Sequence, residues 1–254
     1  MINVIISGAN GKMGRTVAGI LQDMPEYKVF AGVDVYTEPY GDFPIVESPR
    51  LLPAGGDVII DFSNPAALLD LIPYAMENKI PVVACTTGLG KEHLSLLDAA
   101  AKEIPVFKSA NMSLGISLLT ELVKKAASVL GEGFDVEIIE KHHNRKLDAP
   151  SGTAMAIADA LSESYDAPKE YVYDRHSARR PRAKKEIGLH AVRGGTIVGE
   201  HTVLFAGQDE VLEVKHTAQS RDVFAVGAVR AAGFILDKPA GYYNMQDLIS
   251  AINA

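Results

Sequence analysis

An apolar run that breaks into regularly spaced glycines limits this chain to few folds. Ile2–Ser7 reads Ile-Asn-Val-Ile-Ile-Ser and passes directly into Gly8-Ala9-Asn10-Gly11-Lys12-Met13-Gly14. A helical pattern follows over residues 14–24, with Val17, Ala18 and Leu21 on one face. A buried strand that turns on glycine and restarts as a helix is the opening of a βαβ unit. Glycines three apart permit a tight turn, close backbone approach to a pyrophosphate and close helix–strand contact.

The same alternation continues. Short apolar runs at residues 29–33, 58–61, 81–85 and 106–108 predict strands, and residues 64–78 and 91–101 predict the helices between them. Strands apolar throughout, separated by helices, belong to a parallel sheet covered on both faces. The expectation for residues 1–112 is a Rossmann-type, doubly wound α/β domain. From residue 113 the texture changes. A long helix is predicted over 113–130, a strand with one more buried face over 135–140, and a helix over 154–162. Long alternating strands follow at 186–193, 196–206 and 210–220, with hairpin turns expected at Gly194-Gly195 and Gln208-Asp209. Residues 113–220 thus read as an α+β domain whose open mixed sheet is largely antiparallel and carries helices on one face. Residues 223–236 and 245–251 predict two last helices, which patterning alone does not place.

Asp34 ends the second strand, at about the 20-residue spacing expected of the carboxylate that binds the adenosine ribose. An acid there repels a 2′-phosphate and favours NADH. Lys12 and Arg15 can each reach a phosphate, so NADPH stays open, and a glycine-rich turn without a nucleotide is the alternative reading. In open α/β sheets ligands bind at the carboxyl ends of the strands. Cys85, Thr86 and Thr87 close the fourth strand, and Ser109, Ala110, Asn111 and Met112 close the fifth. These residues are candidates for the nicotinamide end, with ordinary loops as the alternative. Cys85 reads as a small buried side chain and not as a nucleophile.

The net charge of −7 argues against a nucleic-acid partner. The lone cysteine precludes an intrachain disulfide or a thiolate metal cluster and fits a reducing cytosol. The N-terminal residues have no basic n-region, and no apolar run reaches the length of a membrane span. A cytoplasmic protein without a membrane partner is expected.

Residues 140–154, Glu-Lys-His-His-Asn-Arg-Lys-Leu-Asp-Ala-Pro-Ser-Gly-Thr-Ala, place two imidazoles beside a lysine, an arginine and a helix start. Adjacent histidines without a spaced third ligand do not resemble a zinc site, so no metal is expected. General acid–base chemistry suits them better, because histidine titrates near neutral pH and a lysine in a cleft donates a proton or holds a carboxylate. Ser151 is a good N-cap, and Gly152 and Thr153 would offer backbone N–H groups to an anion. A strand continuing through residue 143 would aim the two imidazoles apart, whereas a bend after Glu140 would relax this. A solvated polar loop is the competing reading. The basic stretch 177–185, with Arg179, Arg180, Arg182, Lys184 and Lys185, reads as a solvated loop, with a substrate or subunit contact as the alternative. Arg221 is a better isolated candidate for a carboxylate contact.

The pattern H-H-x-x-K-x-D-A-P-S-G-T-A over residues 142–154 resembles the signature of the dihydrodipicolinate reductase family. The resemblance extends over nearly the whole chain and includes Gly8 to Gly14, Thr86-Thr87-Gly88, residues 111–115 and Val198-Gly199-Glu200-His201-Thr202. It implies reduction of 4-hydroxy-tetrahydrodipicolinate to tetrahydrodipicolinate by NADH or NADPH, in diaminopimelate and lysine biosynthesis. It implies proton transfer by His142 and Lys146, and substrate binding by His143, Gly152 and Thr153. The dinucleotide would contact Gly8, Ala9, Asn10, Gly11, Lys12, Met13, Asp34 and the strand ends at residues 85–87 and 109–112. The resemblance further implies a homotetramer built through the second-domain sheet and a return of residues 221–254 to the first domain. Two departures stand out: Cys85 where the family often has glycine, and Met112 where an aromatic is common. Both are backbone or packing positions, so altered cofactor affinity is expected and not lost activity.

Overall fold

A computed structural model describes residues 1–176 and 179–252. The chain divides into two compact units, Met1–Leu114 together with the segment from Asp222 onward, and Gly115–Arg221.

The first unit contains β1 (Ile2–Ser7), α1 (Lys12–Gln22), β2 (Tyr27–Val33), β3 (Ile45–Val46), β4 (Val58–Asp61), α2 (Pro65–Asn78), β5 (Val82–Ala84), α3 (Lys91–Ala100) and β6 (Pro105–Phe107). Its strands form one parallel sheet in the order β12-β6-β5-β4-β1-β2-β3, where β12 is Gly241–Tyr243. The chain winds from β1 outward to β3, then returns to β4 on the other side of β1. The strand order therefore reverses between β1 and β4, and the loops after Ser7 and Asp61 lie at this switch point. Side chains alternate along each strand, which splits the core in two. Val4, Ile6, Val58 and Ile60 meet Val17, Ala18 and Leu21 of α1. Ile5, Ile59, Val82 and Val106 meet Leu68, Leu71 and Ile72 of α2 and Leu97 of α3. α2 begins on the Asn64 side chain, which accepts the Ala67 N–H, and on Pro65, which has no N–H to satisfy.

The second unit contains α4 (Leu114–Leu130, whose first residue belongs to the first unit), β7 (Asp135–His142), α5 (Gly152–Ser162), β8 (Glu170–Val172), β9 (Glu186–Arg193), β10 (Gly199–Ala206) and β11 (Val211–Ala218). Its five strands are ordered β11-β10-β7-β9-β8. The β11·β10 and β10·β7 pairs are antiparallel, and the β7·β9 and β9·β8 pairs are parallel. Mixed is thus correct and largely antiparallel is not. The turn at Gln208-Asp209 is a hairpin, closed by Gly207 N–H on the Glu210 carbonyl with Asp209 at φ 63°. Gly194-Gly195 is not a hairpin, because β9 and β10 lie on opposite sides of β7. β7 carries hydrogen bonds on both edges, so the connection must cross it. Leu119 and Val123 of α4 and Ile157, Ala158 and Leu161 of α5 cover one sheet face, over Val136, Ile138, Ile187, Leu189, Val203 and Phe205.

The remaining elements, α6 (Asp222–Ile235), β12 and α7 (Met245–Ile252), belong to the first unit. α6 places Ala225, Ala228, Val229 and Ala232 in the core beside Met112, and β12 pairs with β6 at the sheet edge. The strands β3, β8 and β12 are two or three residues long and carry no periodic signal.

Candidate active site

In the first unit the glycine loop sits at the switch point. Gly8 adopts φ +75°, and a Cβ there would lie 2.7 Å from the Phe62 carbonyl oxygen. A Cβ at Gly14 would collide with the Gly8 carbonyl. Both positions therefore need glycine, one for its dihedral and one for the approach of α1 to the loop. Gly11 is the N-cap of α1, and Lys12 and Met13 open its first turn, whose N–H groups have no intrahelical acceptor. Such a helix start favours phosphate.

Asp34 follows β2 and is held by two backbone amides, Asn10 N–H at 2.9 Å and Tyr36 N–H at 3.1 Å. The 36–43 segment is latched to the glycine loop. Asn10 donates its side-chain amide to the Tyr36 and Glu38 carbonyls, and the Tyr40 hydroxyl donates to the Ala9 carbonyl at 2.9 Å. The Arg15 guanidinium stacks 4.3 Å over the Tyr40 ring and donates to the Asn10 side chain.

Thr86 and Thr87 differ in environment. Thr86 is buried and donates to Asp61 at 2.6 Å, while Thr87 is exposed. Asp61 is sealed from solvent, and burial raises its pKa against the opposing pull of Ser63, Thr86 and Ser7. The Cys85 thiol is pushed well up by burial and by the Asp61 charge, which suits a packing residue and not a nucleophile. The 109–112 loop is braced from the C-terminal segment. Lys108 N–H donates to the Tyr243 carbonyl at 2.8 Å, and Gly227 of α6 lets the Met112 backbone approach where any Cβ would collide. Asn111 accepts the Ser113 N–H on its own side chain.

In the second unit Glu140, His142, Arg193 and His201 gather on the helix-covered face. β7 extends two residues further than patterning predicts and ends at His142. Glu140 and His142 therefore point the same way, and His143 lies beyond the strand in the turn that leads to Lys146. The Glu140 side chain is 1% exposed. It meets His142 Nδ1 at 2.6 Å, both terminal nitrogens of Arg193 at 2.7 Å, and the Ser151 N–H at 2.9 Å. Burial alone would raise its pKa, but the Arg193 fork, His142 and the Ser151 amide outweigh burial and hold it below the usual carboxylate range. Register explains the gathering: Arg193 lies opposite His142 across β9·β7, and His201 lies opposite Glu140 across β10·β7.

The Lys146 ammonium pairs with Asp148 at 2.8 Å, and that contact, with the Gly152 N–H, holds the Asp148 carboxyl low. The chain then passes a cis Ala149–Pro150 peptide to Ser151. Ser151 caps α5 by accepting the Ala154 N–H, and its hydroxyl lies 3.1 Å from His201 Nε2. A Cβ added at Gly152 would meet open space. His143 is pushed towards the neutral form, by burial first and then by the charges of Arg221, Arg145, His142 and Lys146. Its Nδ1 has no hydrogen-bond partner among the described residues.

Two family descriptions now account for almost every residue. "Dihydrodipicolinate reductase, N-terminus" matches residues 2–112, and "Dihydrodipicolinate reductase, C-terminus" matches residues 115–249. The chain belongs to the dihydrodipicolinate reductase family. A 4-hydroxy-tetrahydrodipicolinate reductase from Caldanaerobacter subterraneus subsp. tengcongensis is 53% identical over 249 residues, 98% of each chain. Another, from Clostridium tetani, is 47% identical over 251 residues, 99% of this chain and 98% of the relative. Among solved structures, a dipicolinate-bound dihydrodipicolinate reductase from Paenisporosarcina sp. TG-14 aligns with a TM-score of 0.78 at 24% identity, over 96% of this chain and 97% of that one. A myo-inositol dehydrogenase from Corynebacterium glutamicum aligns at 0.57 with 16% identity, covering 100% and 94%, so the two-unit plan extends beyond dihydrodipicolinate reductases.

Within this reductase-family chain, sequence reading singles out the segment around His142 and Lys146 but gives no role to Glu140, Arg193 or His201, which surround it. Arg193 and His201 lie far along the chain from residue 142, and although His201 belongs to a stretch that carries the resemblance, nothing local links either to Glu140. A charged residue at the end of an alternating strand is the only sign Arg193 gives. In the basic stretch, read from sequence as a solvated loop, four cations are paired within the unit, and Ser177 lies outside the described residues. Arg180 pairs with Glu186, Arg182 with Asp135 and Glu137, Lys184 with Asp135, and Lys185 with Glu170. Those cations are matched within their own unit. Among the described residues no cluster of three His, Cys, Asp or Glu side chains could hold a metal ion.

Proposed function

We propose that this chain reduces 4-hydroxy-tetrahydrodipicolinate to tetrahydrodipicolinate with NADH or NADPH, in diaminopimelate and lysine biosynthesis. The observation that carries this reading is the Glu140–His142 pair beside Lys146 and the start of α5, on a chain whose other unit bears a dinucleotide cradle. The build of the cradle supports the cofactor: Gly8 takes a positive φ against the Phe62 backbone, Gly14 lets α1 close onto the loop, and two amides fix the Asp34 carboxylate, the group that would take the adenosine ribose. Gly8 to Met13 would hold the pyrophosphate, and residues 85–87 and 109–112 the nicotinamide end. Bound there, the dinucleotide supplies the hydride.

The other unit supplies the proton and the anion contacts. The net change adds a hydride and a proton to the substrate and releases water. His142 and Lys146 are the proton-transfer groups, each within reach of an acid that orients it. His143, Gly152 and Thr153 bind the substrate carboxylates. The positive field of Arg145, Lys146 and Arg221 favours a small dicarboxylate over a neutral sugar or a monoacid.

NADH is the preferred cofactor in this reading, because Asp34 repels a 2′-phosphate, while Arg15 beside it leaves NADPH usable. The working unit is a homotetramer joined through the sheet face that α4 and α5 leave uncovered, which bears Ile139, Val192 and Leu204. The location is the cytoplasm. A coupled assay with fresh dihydrodipicolinate synthase product, run with each cofactor separately, tests the activity. Consumption of neither cofactor overturns it. Lys146→Ala should lower turnover by about 10²-fold or more and leave NADH affinity within about twofold. Unchanged turnover removes Lys146 from the mechanism.

A further inference from the structure

Three of the roughly four acceptor positions of the Glu140 carboxylate are filled by unambiguous donors. Arg193 gives two N–H groups, one to each oxygen, and the Ser151 amide gives a third. An ionised carboxylate only accepts, so the remaining neighbour, His142 Nδ1 at 2.6 Å, must also donate. That fixes the tautomer. With the proton on Nδ1, only Nε2 can take up or release one.

The space around Nε2 agrees. Gly199 on the neighbouring strand would bring a Cβ to 3.1 Å from Nε2, so glycine keeps this nitrogen approachable. The His201 ring stands edge-on at 5.2 Å, and burial drives its pKa down to about 4, so it stays uncharged near neutral pH and does not compete as an acid. Arg193 also donates to the Asp148 carbonyl at 2.6 Å, which ties the loop carrying Lys146 to the same guanidinium.

We propose that Glu140 and Arg193 are positioning residues that hold His142 with its proton on Nδ1, leave Nε2 as the working nitrogen, and fix the Lys146 loop in register with it. This rests on the reading of His142 as a proton-transfer group. Orientation of a catalytic imidazole by a buried carboxylate is a general device, and here an arginine holds that carboxylate in turn.

The test reads the tautomer directly. ¹⁵N NMR of the full-length protein with labelled histidine should show neutral His142 protonated at Nδ1. A neutral imidazole protonated at Nε2 overturns the proposal whatever the variants do. Glu140→Gln should lower kcat by about 10²-fold, keep NADH affinity within about twofold, and leave a mixture of His142 tautomers. Arg193→Lys keeps the charge but loses the fork, and should lower kcat by about tenfold, serving where Glu140→Gln does not fold. If His142→Asn abolishes turnover while Glu140→Gln and Arg193→Lys stay within about twofold of wild type, the positioning role fails and His142 keeps its own. If His142→Asn is itself fully active, the underlying reading fails instead.

Discussion

Glu140 and Arg193 show how a charge is kept inside this protein. Removing one partner of a buried pair strands the other, at a cost of about 3–5 kcal/mol. Arg193→Ala should therefore destabilise the chain by roughly 3 kcal/mol in urea unfolding, more than Glu140→Gln, because the carboxylate it strands is 1% exposed whereas the Arg193 side chain is 19% exposed. His201 supplies a pH dependence. Its folded pKa is about 4, below the roughly 6.5 of an unfolded histidine, so between these values the unfolded state binds more protons. Its contribution is complete above pH of about 6.5 and is lost as pH falls towards about 4, up to roughly 3 kcal/mol. His201→Asn should flatten unfolding free energy against pH in that window. An equally steep curve would mean that other groups set it.

At the scale of elements, the start of α5 carries several roles in one residue. The Ser151 hydroxyl caps the helix and meets His201, and its amide supports Glu140. Ser151→Ala keeps the amide and loses the cap, so about 1–2 kcal/mol of stability should go in a denaturation curve. The Glu140–His142 contact should survive, and turnover should fall less than in Glu140→Gln. A loss of turnover equal to that of Glu140→Gln would assign the hydroxyl a direct part in the chemistry. The glycine loop is legible in sequence because its requirements are local: a positive φ at Gly8 and a close approach at Gly14 concern residues six apart. The Gly194-Gly195 turn misleads for the converse reason. Turn chemistry reports that the chain reverses, not which strand it pairs with next.

Across the whole molecule, the uncovered face of the second sheet is the surface that assembly would bury. Leu204→Glu places a charge there without touching the helix-side core, so it should convert a tetramer into smaller species in sedimentation velocity. A mass unchanged by this substitution, or a wild-type monomer, excludes assembly through this face. The basic stretch contributes to this unit from inside. Arg175, followed by Arg180, pulls the Glu186 carboxyl to about 2, so this network stays charged through ordinary pH. Its contribution is present above the unfolded carboxylate value and fades only as pH falls towards about 2.

The amino-acid order alone determines the alternation of buried strands and helices, the glycine cradle, Asp34 and the His142–Lys146 segment. Each of these is written in neighbouring residues through backbone sterics, side-chain periodicity or the chemistry of one short stretch. Tertiary structure decides what meets that segment. The pairing of β7 with β9 and β10 brings Arg193 and His201 to Glu140 and His142, and packing of α6 and β12 braces the 109–112 loop. Strand register is a collective result of the whole core, since a slip of one residue would turn every side chain to the other face. No stretch of sequence records that choice by itself.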